Sequence, residues 1–196
     1  MKYKNINTAI LKGAMIVSLL LLFAVSSYAQ KLAIKTNALY LTTATPNIGM
    51  EIGLSSKLTL DITYGINPFT FEDNLKWKHW VVQPELRYWF CESFYGHFVG
   101  LHAGAGEYNI SKVAIPTVDN AKDYRYEGMA VLGGLAYGYS WVLSGRWNIE
   151  ASFGVGIVHT KYRQFDCPLC GKHLGDKIET FVAPTKAAVS VIYLIK

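Results

Sequence analysis

Past Gln30 this chain of 196 residues has no apolar run long enough for a membrane-spanning helix, so any bilayer insertion must use strands. Cysteine is scarce: Cys91, Cys167 and Cys170 leave room for one disulfide and one thiol. No lysine or arginine cluster reads as a nucleic-acid or heparin patch. There is no Gly-x-Ser-x-Gly, and no serine in register with a histidine that would single out a hydrolytic triad. No Gly-x-Trp follows the leader, which argues against a lipocalin-like carrier; Gly145-Arg146-Trp147 comes only far downstream.

What is present begins with a leader. Lys2, Lys4 and Lys12 precede the apolar stretch Ala14–Val25, and Ser27-Tyr28-Ala29 gives a small-x-small cleavage site before Gln30. Residues 1–29 therefore read as a secretory signal peptide, and residues 30–196 as one domain. No cysteine follows the apolar stretch, which argues against a lipid anchor. The leader holds three of the nineteen basic residues and none of the fourteen acidic ones, so the formal charge of +5 falls to +2 in the mature part.

From Lys31 onward the chain alternates with period two, the mark of strands whose side chains leave opposite faces. In residues 147–157, Trp147, Ile149, Ala151, Phe153, Val155 and Ile157 share one face, and Asn148, Glu150, Ser152, Gly154 and Gly156 the other. Eight such segments are expected, at about 31–41, 46–54, 58–67, 79–91, 96–109, 124–141, 147–162 and 178–195. Connections after the second, fourth and sixth are short; those after the third, fifth and seventh are long and polar. Pro84 and Pro184 fall inside strands and predict bulges or strand ends. Aromatics gather at the loop ends (Phe69, Phe71, Trp77, Trp80, Tyr108, Tyr124, Tyr126, Tyr162, Phe165). They gather again at the turn ends (Trp89, Phe90, Tyr137, Tyr139, Trp141, Trp147, Tyr193), as two interfacial girdles would require. The expected fold is all-β: an eight-stranded antiparallel transmembrane β-barrel of outer-membrane type, preceded by a cleavable signal peptide.

Several stretches in order resemble the DUF3575 family of exported Bacteroidetes proteins. They are Lys35-Thr36-Asn37-Ala38-Leu39-Tyr40, Thr45-Pro46-Asn47, Trp77-Lys78-His79-Trp80, and Gln83-Pro84-Glu85-Leu86-Arg87-Tyr88-Trp89. Further on come Cys167-Pro168-Leu169-Cys170-Gly171 and Pro184-Thr185-Lys186-Ala187-Ala188. The resemblance implies an outer-membrane β-barrel encoded near fimbria-assembly genes, and implies no catalytic residues.

Three sets of residues are candidates for chemistry. By parity, Lys35, Glu51, Asp61, Glu85, Arg87, His102, Glu150 and Lys186 point into the lumen. Eight strands leave room for side chains but not for an aqueous channel, so these charges must pair into a polar plug or serve gating. Cys167 and Cys170 could form a loop disulfide or, with His173, supply three zinc ligands, a fourth being absent locally. His79 beside Trp80, His97 near Glu92, and His159 with Thr160 are the available bases for a rim enzyme. The reading drawn is a non-enzymatic structural or surface-assembly role in the outer membrane without cofactor. The expected partners are outer-membrane lipid and a surface or fimbrial assembly protein, not nucleic acid. The alternatives are a barrel enzyme acting on lipids or peptides, and a soluble carrier.

Overall fold

The computed structural model describes residues 31–70, 75–111, 124–166 and 171–195. Eight antiparallel strands form one ring: β1 (Leu32–Asn37), β2 (Asn47–Gly53), β3 (Leu58–Asn67), β4 (Lys76–Trp89), β5 (Gly96–Ser111), β6 (Arg125–Val142), β7 (Trp147–Phe165) and β8 (His173–Ile195). Each strand pairs with its sequence neighbours, and β1 closes the sheet by pairing with β8 from Leu32↔Ile195 to Asn37↔Ser190. The ring has a turn end, with both termini of the ring and the turns after β2, β4 and β6, and a loop end opposite.

The strands lengthen steadily around the ring, from 6 residues in β1 to 23 in β8. β1 was expected to run through Leu41. It stops at Asn37 because that side chain caps a one-turn helix, α1 (Ala38–Thr42): its Oδ1 accepts from the Leu39 N–H at 3.0 Å. The same side chain extends the β1–β8 seam, donating to the Ala187 carbonyl at 3.1 Å and accepting from the Val189 N–H at 3.1 Å. α1 then packs along β8 where β1 has ended.

The other strands run beyond their apolar stretches. β4 starts at Lys76 rather than His79, β7 ends at Phe165, and β8 begins at His173 rather than Ile178. Polar and charged side chains pair there across the ladder as readily as apolar ones. Of the two strand prolines, Pro184 borders a bulge: Gly154 faces Lys186 and Val155 faces Pro184, leaving Thr185 unpaired. Pro84 pairs with Ile62 of β3, but Gln83 and Pro84 drop out of the β4–β5 ladder between Val82↔Ala105 and Glu85↔His102. A proline has no N–H to give it.

Burial is inverted relative to a water-soluble sheet. Leu101, Leu135, Phe153, Ile157 and Val182 are exposed, the last at 77%, while Glu51 and Glu150 are fully buried. Apolar packing in the interior is concentrated at the turn end, where Ala33, Phe94 and Ile192 make a floor. Phe94 has φ 68, a left-handed backbone costing about 1–2 kcal/mol, which burial of its ring offsets with about 2–3 kcal/mol. Its carbonyl accepts from Asn148 at 2.7 Å and from Ser140 at 3.2 Å.

Candidate functional site

The interior above that floor is a layer of charge. Lys35 comes from β1, Glu51 from β2, Asp61 from β3, Glu85 and Arg87 from β4, Glu150 from β7 and Lys186 from β8, each at an inward position of the pleat. Glu51, Asp61 and Glu85 are direct cross-strand neighbours, and His102 follows Glu85 in the same row. Like charges placed so close repel unless cations join them. Arg87 does this, with nitrogens 2.8 Å from Glu51, 2.9 Å from Asp61, 3.3 Å from Glu85 and 2.8 Å from Glu150. Lys35 adds Glu51 at 2.5 Å and Asp61 at 3.2 Å, and Lys186 pairs with Glu85.

Each of the three cations faces a glycine across the ladder: Lys35 opposite Gly49, Arg87 opposite Gly100, Lys186 opposite Gly154. The missing Cβ atoms make the space that long side chains need to lie across the lumen. At Gly100 the Glu85 carboxylate fills that space, at Gly49 the Lys35 stem, and at Gly154 the His102 ring.

Aromatic and hydroxyl groups tie this layer to the floor. Arg87 lies 4.5 Å over the Phe98 ring, and Phe98 lies 4.7 Å from Trp89. Trp89 Nε1 donates to Thr59 Oγ1 at 2.9 Å, and Thr59 donates to Glu51 at 2.5 Å. On the loop side, His102 Nε2 shares a 2.7 Å hydrogen bond with Thr185 Oγ1, and Gln83 donates to the Thr185 carbonyl at 3.1 Å. The bulge thus aims Thr185 into the ring. The cavity beside Lys35, Asp61, Arg87 and Lys186 is only about 20 Å³, room for one water. This layer can hold charge and close the lumen; it has no room for a substrate.

Above it β1, β2 and β3 end at Asn37, Asn47 and Asn67, while β5–β8 continue. Their inward residues there are Tyr108, Tyr126 and Tyr162, with Glu179 from β8. Tyr162 donates to Glu179 at 2.6 Å, Tyr108 bonds Thr160 at 2.7 Å, and the Tyr126 and Tyr162 rings meet edge-on at 5.5 Å. Burial, and then the Glu179 carboxylate, push the Tyr162 hydroxyl well above the usual tyrosine range. Burial raises Tyr108 as well.

These placements correct part of the sequence reading. Tyr108, Tyr126 and Tyr162 line the interior rather than an outer girdle, and Trp89 is fully buried. Trp89 shares the parity of Arg87 two residues earlier, so alternation alone could have placed it. Thr185 had only its proline neighbour as a signal. The rim histidines reach other partners than those expected. His79 Nδ1 bonds the Trp77 carbonyl at 3.0 Å, His97 the Tyr137 hydroxyl at 2.6 Å and His159 the Thr180 hydroxyl at 2.7 Å, while Glu92 pairs with Lys31. His173 bonds Asp176 at 2.8 Å; Cys167, Cys170, Phe71 and the signal peptide lie outside the described residues. Cys91 is an exposed free thiol.

No curated protein and no solved structure matches this chain. A family model does, over residues 15–195, and its description is a protein of unknown function. With most of the chain inside that match, the protein belongs to the DUF3575 family.

Proposed function

We propose that the chain is exported, loses its leader near Ala29, and sits in the outer membrane as a closed transmembrane barrel with a structural or surface-assembly role rather than a catalytic one. The observation that carries this is the outer face. On β7 every outward residue from Trp147 to Ile157 is apolar, and the next two, His159 and Lys161, are not. Ten residue steps at about 3.3 Å, tilted about 40°, rise about 25 Å, the height of the apolar band of such barrels.

The change runs in register across the long strands over two successive rows. The cross-strand row Val82, Ala105, Val131, His159, Thr180 is succeeded by Trp80, Glu107, Met129, Lys161, Ile178. Then comes Lys78, Asn109, Glu127, Arg163, Asp176, a row with no apolar member. Trp80, at the transition, donates to Glu107 at 3.1 Å, as an interfacial indole does. At the turn end Trp141, Trp147 and Tyr193 mark the other boundary. The filled lumen argues against conduction, and the β5–β8 extension beyond the apolar rows offers a platform to a surface assembly, fimbriae being the expectation from the family resemblance.

The test is gel mobility, boiled against unboiled, of protein extracted in detergent from an outer-membrane fraction. A faster unboiled band is expected of a closed barrel. A periplasmic or secreted protein without that shift would sink the reading.

A further inference from the structure

The cup formed by the inner face of β5–β8 holds a cavity of about 290 Å³ that is open to solvent, with Glu179 and Phe181 exposed on its wall. Its walls are Tyr108, Tyr126, Tyr162, Ile110 and Phe181, and among the described lining residues Glu179 alone carries charge. Among the described residues no lysine or arginine pairs with that carboxylate; its partner is the neutral Tyr162 hydroxyl. Lys177 precedes it by two residues on the same face of β8, but no ion pair joins the two. Tyr126 and Tyr162 stand at 72° to each other, so two electron-rich ring systems meet in a corner close to one anionic group.

Each class of ligand meets this arrangement differently. An anion is repelled by the carboxylate and by the ring faces. A neutral apolar molecule would strip water from Glu179 and return nothing, a cost of several kcal/mol. A small metal cation asks for six or more oxygens and finds one carboxylate. A weakly hydrated organic cation satisfies both features at once, its charge on Glu179 and its alkyl surface on the rings. We propose that this cup binds a free, water-borne organic ammonium group, held by the tyrosine faces and neutralised by Glu179. The cavity volume suits a small molecule of that class. The site begins at the last apolar rows of the outer wall, beside Val158 and Ala183, and opens at the loop end, where water-borne ligands arrive.

The experiment uses the full mature chain in a maltoside detergent, free of phosphocholine, titrated with choline and with its uncharged carbon isostere, dimethylbutanol, by calorimetry. Choline is expected to bind at least about tenfold more tightly than the isostere. Glu179→Gln is expected to erase the difference while keeping the fast unboiled band that reports a folded ring, and Tyr126→Leu to weaken choline by a similar factor. Equal affinity for the two probes, no choline binding at millimolar concentration, or a folded Glu179→Gln protein that binds choline as before would each overturn the assignment. Binding only of the choline headgroup of phosphatidylcholine in mixed maltoside micelles, and not of free choline, would overturn the water-borne source.

Discussion

Below His102 the inward side chains of all eight strands meet and fill the lumen with one another; toward the loop end β1, β2 and β3 stop, β4–β8 carry on, and the inward side chains of β5–β8 line a hollow. The same alternation produces both levels. In the lower one, three cations and four carboxylates lie within one ring diameter, so every charge has a partner and the cavity left over holds one water. In the upper one, the opposite wall is missing because β1–β3 have ended, and one carboxylate is left without a cation among the described residues. What differs is strand length, and with it whether an inward residue has something across from it. A polar layer that must satisfy itself is structural; one that lacks a counter-charge is free to take a ligand.

The sharpest way to break this contrast is to remove the residue on which the lower level converges. Arg87→Met leaves four carboxylates facing two lysines. Loss of one member of a buried ion pair costs about 3–5 kcal/mol, and here one side chain serves four partners. The variant is expected to lose that much or more in urea unfolding from detergent, or to fail to give the fast unboiled band. A mild effect, below about 1 kcal/mol, would mean that the lower level is held by the strand ladder and not by its charges.

Space gives a second, smaller contrast. A Cβ at Gly138 would overlap the Phe98 ring, which is wedged between Arg87 and Trp89 and has nowhere to swing, and would lie 2.9 Å from the Ala151 carbonyl. Gly138→Ala is therefore expected to cost about 1–3 kcal/mol by overpacking. At Gly175, on the extension, an added Cβ meets nothing within 4 Å, and Gly175→Ala is expected to shift stability by less than about 0.5 kcal/mol. Equal costs at the two sites, measured by the same urea titration, would show that the lower level is no more tightly filled than the extension.

Much of the lower level can be read from the chain because period-two alternation is a local property. Lys35, Glu51, Asp61, Glu85, Arg87, His102 and Glu150 all sit at positions that parity assigns to the inside, and all are buried. The ordering of eight strands follows from the same signal. The upper level was hidden for a physical reason. Past the apolar rows the outward face becomes as polar as the inward one, so the periodicity that marks a strand fades while its hydrogen-bonded ladder continues through Phe165 and from His173. An aromatic near a strand end then reads as a girdle residue, although Tyr108, Tyr126 and Tyr162 have the parity of the interior. The turn of helix at Ala38–Thr42 was missed because Ile34, Thr36 and Ala38 continue the alternation into it; only Asn37, a good cap, signals the break.

The smallest effect isolates the unpaired carboxylate of the upper level. Tyr162 gives its proton to a hydrogen bond with Glu179, in a buried setting that disfavours a second negative charge, so its hydroxyl is held above the ordinary value of about 10. A group whose pKa is raised on folding contributes stability in full below its unfolded value and loses that contribution as pH climbs toward the folded one. The stabilisation from Tyr162 is thus complete up to about pH 10 and fades only above it. Phenolate absorbance at about pH 11 should show a class of tyrosines that resists ionisation in the folded wild type, and Tyr162→Phe should make that class smaller by one. The same variant should cost about 0.5–1.5 kcal/mol near neutral pH, the net worth of one hydrogen bond whose acceptor, Glu179, stays exposed to water. If Tyr162 instead ionises with the exposed tyrosines, Glu179 is already neutralised by a cation, and the upper level would be a second self-satisfied layer like the one beneath it.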